Sequence, residues 1–105
     1  MDFPERRKAQ QFSARLPVTV KYTQAGHYEF TGVSRDVSAS GIFLHTDSKI
    51  EEGAQVEVML TLPAKKSEQN TVQVRGTVVR VERSSPPGIA IKFEKLVILP
   101  EYLQG

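Results

Sequence analysis

The sequence predicts an all-β domain, a six-stranded antiparallel split β-barrel, and three observations carry that expectation. Apolar and polar residues alternate with a period of two along most of the chain. The alternating runs are short and bounded by clusters of Ser, Gly, Asp and Pro. The apolar stretch at the end, "KLVILPEYLQG", is short and broken by Pro100, which excludes a long helix there.

The elements follow in order. Residues 1–12 carry no apolar periodicity, concentrate charge in "ERRK" (residues 5–8) and read as a flexible, basic N-terminal arm. In "LPVTVKY", Leu16, Val18, Val20 and Tyr22 share one face of a first strand. "HYEFTGVSRDV" is a weaker second strand with Tyr28, Phe30 and Val33, and Gly32 marks an expected bulge. "GIFLHT" is a short third. "QVEVMLTLP" aligns Val56, Val58, Leu60 and Leu62 and ends at Pro63. The all-polar "AKKSEQN" is a hairpin tip leading into "TVQVRGTVVRVER", with Val72, Val74 and Val78 on one face and a phase slip expected at Gly76. After the turn "SSPPG", the last strand, "IAIKFE", points Ile89, Ile91 and Phe93 one way. The domain is thus assigned to residues 13–95, and residues 96–105 form a short tail, one helical turn or an edge segment.

Such a chain avoids exposed strand edges most simply by curling into a small, partly closed barrel filled with Val, Ile, Leu and Phe. A filled interior leaves no deep pocket, so a ligand must be held outside by loops and the arm. That favours binding over catalysis.

Composition narrows the choice further. The 105 residues suffice for one domain with a modest core and no staples. The absence of cysteine excludes disulfides and Cys-ligated zinc or iron–sulfur sites. No apolar run suits a signal peptide or a membrane span, so a soluble cytoplasmic protein is expected. Fourteen Lys and Arg against twelve Asp and Glu give a net charge of +2, too little for a surface that coats a nucleic acid polymer. The strands also lack the interleaved aromatic and basic residues that stack successive bases.

Enzyme constellations are missing. His27 and His45 do not stand at metal-ligand spacing with another donor, and His45 reads as an outward strand residue. No nucleophile elbow or phosphate-cradling Gly-rich loop occurs, and Glu51 and Glu52 before Gly53 form a solvated turn. No catalytic residue, metal or cofactor is expected.

Two polar clusters remain. "RDVSASGIFL" (residues 35–44) gathers Arg35, Asp36, Ser38, Ser40 and Gly41 between two alternating runs. Turn chemistry accounts for them in part, since Asp and Ser bond nearby amides and Gly permits positive φ. The second cluster is the arm, with Arg6 and Arg7. Together they have the groups needed to grip a guanine nucleotide. Guanidinium forks match phosphate oxygens and their planes stack on purines. A carboxylate such as Asp36 accepts from guanine's N–H donors or clamps an arginine.

"ERRKAQQ" followed by "RDVSASGIFL" resembles the PilZ domain, a small six-stranded bacterial β-barrel with an RxxxR arm and a (D/N)xSxxG loop, many of whose members bind cyclic di-GMP between the two. Asp36, Ser38 and Gly41 match the loop motif, and "GIAIKFEKL" is similar to the family's last strand. The likeness covers residues 5 to about 95. It implies a signalling receptor that binds cyclic di-GMP and engages a partner protein. The arm departs from the pattern: aligned on Arg7, Gln11 stands where the second arginine belongs, and aligned on Arg6 it is Gln10. Glutamine keeps an amide donor and loses the charge and the fork. Two readings therefore stay open, a cyclic di-GMP receptor and a degenerate PilZ-like adaptor that works by protein contact alone.

Overall fold

The computed structural model describes residues 15–23, 26–63, 69–83 and 86–97. The arm, including Arg6, Arg7 and Gln11, and the tail from residue 98 onward, where a helical turn or an edge segment is expected, lie outside the described residues. Six strands are present: β1 Pro17–Thr23, β2 His27–Val37, β3 Gly41–His45, β4 Gln55–Pro63, β5 Gln69–Glu82 and β6 Gly88–Phe93. Every pairing is antiparallel, and the strands close into a ring in the order β1-β2-β3-β6-β5-β4. Closure through β1 and β4 is complete, with Val18 opposite Leu60 and Tyr22 opposite Val56. No sheet edge remains to template aggregation along these strands.

Period-two patterning sets which side of each strand is inside. Val18 and Val20 of β1, Ile42 and Leu44 of β3, Val58 and Leu60 of β4, and Ile89 and Ile91 of β6 are all buried in one cluster. Each such side chain contributes about 1.5–3 kcal/mol by leaving water. Tyr22 and Phe30 pack at one end of this interior, where the Tyr22 and Tyr28 rings stack at 5.2 Å. Tyr28 and Val33, grouped with Phe30 by the sequence pattern, are about half exposed.

The bulges fall elsewhere than the glycines suggest. Gly32 sits in regular register opposite Val18, and a Cβ there would lie 2.7 Å from the His45 carbonyl oxygen. It is glycine for close approach of β2 to β3. The β2 irregularity lies between Ser34 and Asp36, making Arg35 the extra residue. Gly76 is likewise regularly paired with Val56 and Phe93, and the β5 slip comes after Val78, making Val79 the extra residue. Val78 and Val81 therefore both stay inward, three residues apart.

On the outside, Glu29, Lys21, Glu57 and Arg75 stand in one row across β2, β1, β4 and β5. Alternating charge in directly opposed positions stabilises the sheet by roughly 0.2–1 kcal/mol per pair. This row borders a shallow groove of about 570 Å³ that also includes His27 and Tyr28.

Ser34 and Ser38 are the buried polar residues among those described. Ser34 occupies an inward position of β2 and binds the residue before β1 twice. Its N–H donates to the Leu16 carbonyl at 3.0 Å, and its Oγ accepts from the Leu16 N–H at 2.9 Å. The point where the arm joins the barrel is thereby fixed to β2. Replacing Ser34 by Ala leaves the Leu16 N–H without this acceptor in a buried place, at a cost of about 1–3 kcal/mol. Urea denaturation of Ser34→Ala is expected to show a lower midpoint with an unchanged slope; an unchanged midpoint contradicts this role.

Candidate functional site

The bulge in β2 builds the site. Inserting Arg35 turns two successive side chains, Arg35 and Asp36, outward opposite a single β3 residue, Phe43. Arg35 Nε donates to Asp36 Oδ2 at 2.7 Å, and the Arg35 guanidinium lies 3.8 Å from the centroid of the Phe43 ring. Both the charge-assisted hydrogen bond and the cation–π contact fix the arginine against the barrel.

Beyond β2 the chain turns through Ser38, Ala39 and Ser40. Ser38 N–H donates to the Gly41 carbonyl at 2.9 Å, and Ser38 Oγ donates to the same oxygen at 3.3 Å. The Ser40 N–H in turn donates to Ser38 Oγ at 3.2 Å, with the two hydroxyl oxygens 3.3 Å apart. Ser38 is 6% exposed, so its hydroxyl braces the turn from within, while Ser40 sits nearer the surface. Gly41 serves the fold differently from the turn chemistry expected of it. Among the described residues positive φ belongs to Gly26 and Gly53; Gly41 pairs with Lys92, and a Cβ on it would meet the Ile91 carbonyl oxygen at 2.6 Å. Glycine is required there by the approach of β6.

Arg35, Asp36, Ser38, Ser40 and Gly41 are brought together along one groove of about 610 Å³ on the outside of the barrel. The sequence reading placed these residues and missed three others that line the same groove: Phe43, Arg80 and Lys92. Phe43 is 5% exposed yet stands outside the interior cluster, since its neighbours Ile42 and Leu44 take the inward positions. An aromatic between two inward aliphatic residues, in a strand whose apolar run does not alternate, is the signal that marks it. Arg80 is aimed outward by the β5 slip, 5.8 Å from the Phe43 ring, with Nε 3.1 Å from Glu82 Oε2. The valine doublet "VV" before it, which breaks alternation, is the trace of that slip in the sequence. Three cations against one carboxylate line the groove, so it attracts anions. Its shallow, outward position agrees with a filled interior.

Arg6, Arg7 and Gln11 lie outside the described residues. Their attachment is nevertheless defined. The chain enters the barrel at Leu16, bound to Ser34, the residue next to Arg35. The nine residues Arg7–Arg15 span up to about 30 Å when extended, enough to reach any part of the groove from that root.

A family model for the PilZ domain matches residues 5–99. The chain belongs to the PilZ domain family. Solved PilZ structures share its fold. The Bacillus subtilis inhibitor of motility, MotI/DgrA, superposes with a TM-score of 0.71 at 17% identity over 94% of this chain and 46% of that one. This chain therefore spans less than half of the Bacillus protein's. The PilZ domain of YcgR from Escherichia coli, solved with c-di-GMP, gives 0.63 at 13% identity, covering 94% of this chain and 84% of the other. The PilZ domain of CeSA from a cellulose-synthesizing bacterium gives 0.56 at 21%, covering 90% and 87%. At these identities the likeness is one of fold. No curated protein matches the sequence.

Within the PilZ barrel, the loop motif residues Asp36, Ser38 and Gly41 thus have separable tasks: an outward carboxylate, a brace and a close contact. Among the described residues no three His, Asp or Glu side chains are grouped to hold a metal ion, and no helix is long and apolar enough to cross a membrane. Gly41→Ala forces β3 away from β6 and is expected to destabilise the domain by about 1–3 kcal/mol, a drop of roughly 4–8 °C or more in melting temperature for a domain of this size. A wild-type melting temperature in Gly41→Ala contradicts the close-contact assignment.

Proposed function

We propose that this PilZ domain is a cyclic di-GMP receptor whose N-terminal arm closes over the ligand and couples its presence to a partner protein. The observation that carries the reading is the Leu16–Ser34 attachment, which roots the arm one residue from the Arg35–Asp36 bulge. A short chain bearing Arg6 and Arg7 thereby starts beside the groove that Asp36, Ser40 and Gly41 line. Family membership supports the ligand class, since the loop motif is intact and the E. coli neighbour was solved with this nucleotide.

In this mechanism the ligand sits outside the barrel, between groove and arm. Arg7, with Arg6, pairs with phosphate oxygens or stacks on a guanine. Asp36 accepts from the guanine N–H edge or holds Arg35, and Ser40 with the Gly41 backbone adds hydrogen bonds. Nothing is transformed in this reading: the groove contributes attraction and shape. Ordering of the arm on the ligand presents a new surface to a partner, at a cytoplasmic site of action.

Gln11 sets the strength of binding. A charge-assisted hydrogen bond is worth roughly 1.5–3 kcal/mol net, and a micromolar ligand is held by about 8 kcal/mol. One missing arginine contact weakens binding roughly ten- to a hundredfold. Gln11 equally favours a second reading, in which the domain no longer binds nucleotide and acts as an adaptor; the 76% exposed Leu96 then belongs to its docking surface.

Titration calorimetry separates the two. The receptor reading expects saturable, selective binding of cyclic di-GMP that Arg7→Ala and Asp36→Ala each weaken greatly in folded protein. Gln11→Arg is expected to tighten it about ten- to a hundredfold. No heat at about 100 μM ligand, in wild type and Gln11→Arg alike, overturns the receptor and leaves the adaptor.

A further inference from the structure

We infer that Phe43 is a positioning residue for the ligand, holding the Arg35 guanidinium flat on the barrel as a preformed cationic plane on which one purine base stacks. The inference rests on the receptor reading and gives a role to an aromatic that belongs to no recognised motif of the chain.

The geometry is layered. At the bottom is Gly88, directly across from His45, where any Cβ would lie 2.5 Å from the Phe43 ring. Phe43 lies on that bare backbone, 5% exposed, with the His45 ring against it edge-on at 5.6 Å and 82°. Arg35 covers Phe43 at 3.8 Å, and Asp36 fixes its Nε at 2.7 Å. The uppermost layer is therefore the guanidinium, whose side chain keeps 45% of its surface exposed and lines the groove.

Two constraints on one long side chain matter because an arginine on open surface loses much of its rotamer freedom when it binds. Here part of that freedom is removed before a ligand arrives, which is the benefit of preorganisation. The guanidinium carbon stands over the Phe43 ring at stacking distance, and a cation stacked on a ring offers its other face to the π face of a base, whereas a phosphate prefers the fork edge-on. Arg80 contrasts with it: at 5.8 Å it is at the limit of a cation–π contact and is paired to Glu82, so it contributes charge rather than a plane. In a chain with Gln11 in the arm, a guanidinium plane carried by the barrel supplies one that the arm lacks.

The test is calorimetric titration of cyclic di-GMP into wild type, Phe43→Leu, Phe43→Tyr and Arg35→Lys, each with its melting curve. Phe43→Leu and Arg35→Lys are expected to weaken binding about three- to thirtyfold, and Phe43→Tyr, which restores a ring, to bind within about twofold of wild type. Arg35→Lys keeps the charge and discards the plane, so wild-type affinity in that variant, folded, overturns the inference. It decides the matter even where Phe43→Leu fails to fold. Binding by wild type with silent variants removes this inference alone; no binding by wild type removes the receptor reading and this inference with it.

Discussion

The buried hydroxyl of Ser34 links the two halves of the candidate site. It sits at an inward position of β2 that would otherwise hold an aliphatic side chain and accepts from the Leu16 N–H, while the Ser34 backbone N–H donates to the Leu16 carbonyl. A polar group in a dry interior must be partnered, so the pairing leaves little freedom for the chain to enter elsewhere. The next residue, Arg35, is the bulge that turns Asp36 and itself outward. One local arrangement therefore fixes both where the arm begins and which way the groove's charges point.

The rest of the barrel makes an outside site the natural one. Val, Leu and Ile from all six strands fill the interior, and the ring has no open edge. The outer surface is left to side chains that alternate outward, and the two bulges increase their number locally. In β2 the extra residue puts Arg35 beside Asp36; in β5 the extra Val79 redirects Arg80 toward Phe43. A site of this kind is suited to recognition. It has a positive balance of charge, a carboxylate and braced amides on an open groove.

Much of this was legible in the sequence because a strand's period of two is short and strict. Val18, Val20, Val58, Leu60, Ile89 and Ile91 were assigned inward from alternation alone and are buried. The loop cluster was legible from residue types at fixed spacing, and Asp36, Ser38, Ser40 and Gly41 do line one groove. The bulges were misplaced because glycine has two uses in sheets, permitting irregular backbone and permitting close approach, and composition does not distinguish them. Gly32, Gly41 and Gly76 all serve the second use, facing carbonyl oxygens of a neighbouring strand. Arg80 and Lys92 were overlooked for a different reason. They come to the groove from β5 and β6, roughly 40 to 55 residues from Asp36 along the chain, and only the ring order β2-β3-β6-β5 places them there.

The most direct measurement is amide chemical-shift mapping of the isotopically labelled protein during addition of cyclic di-GMP. A ligand held between the arm's root and the outer groove predicts changes concentrated at Ser34–Phe43, at Arg80 and at Ala90–Lys92, together with the arm. Changes confined to the other groove, around Tyr22, Tyr28, Glu57 and Arg75, or none at all at saturating nucleotide, contradict it.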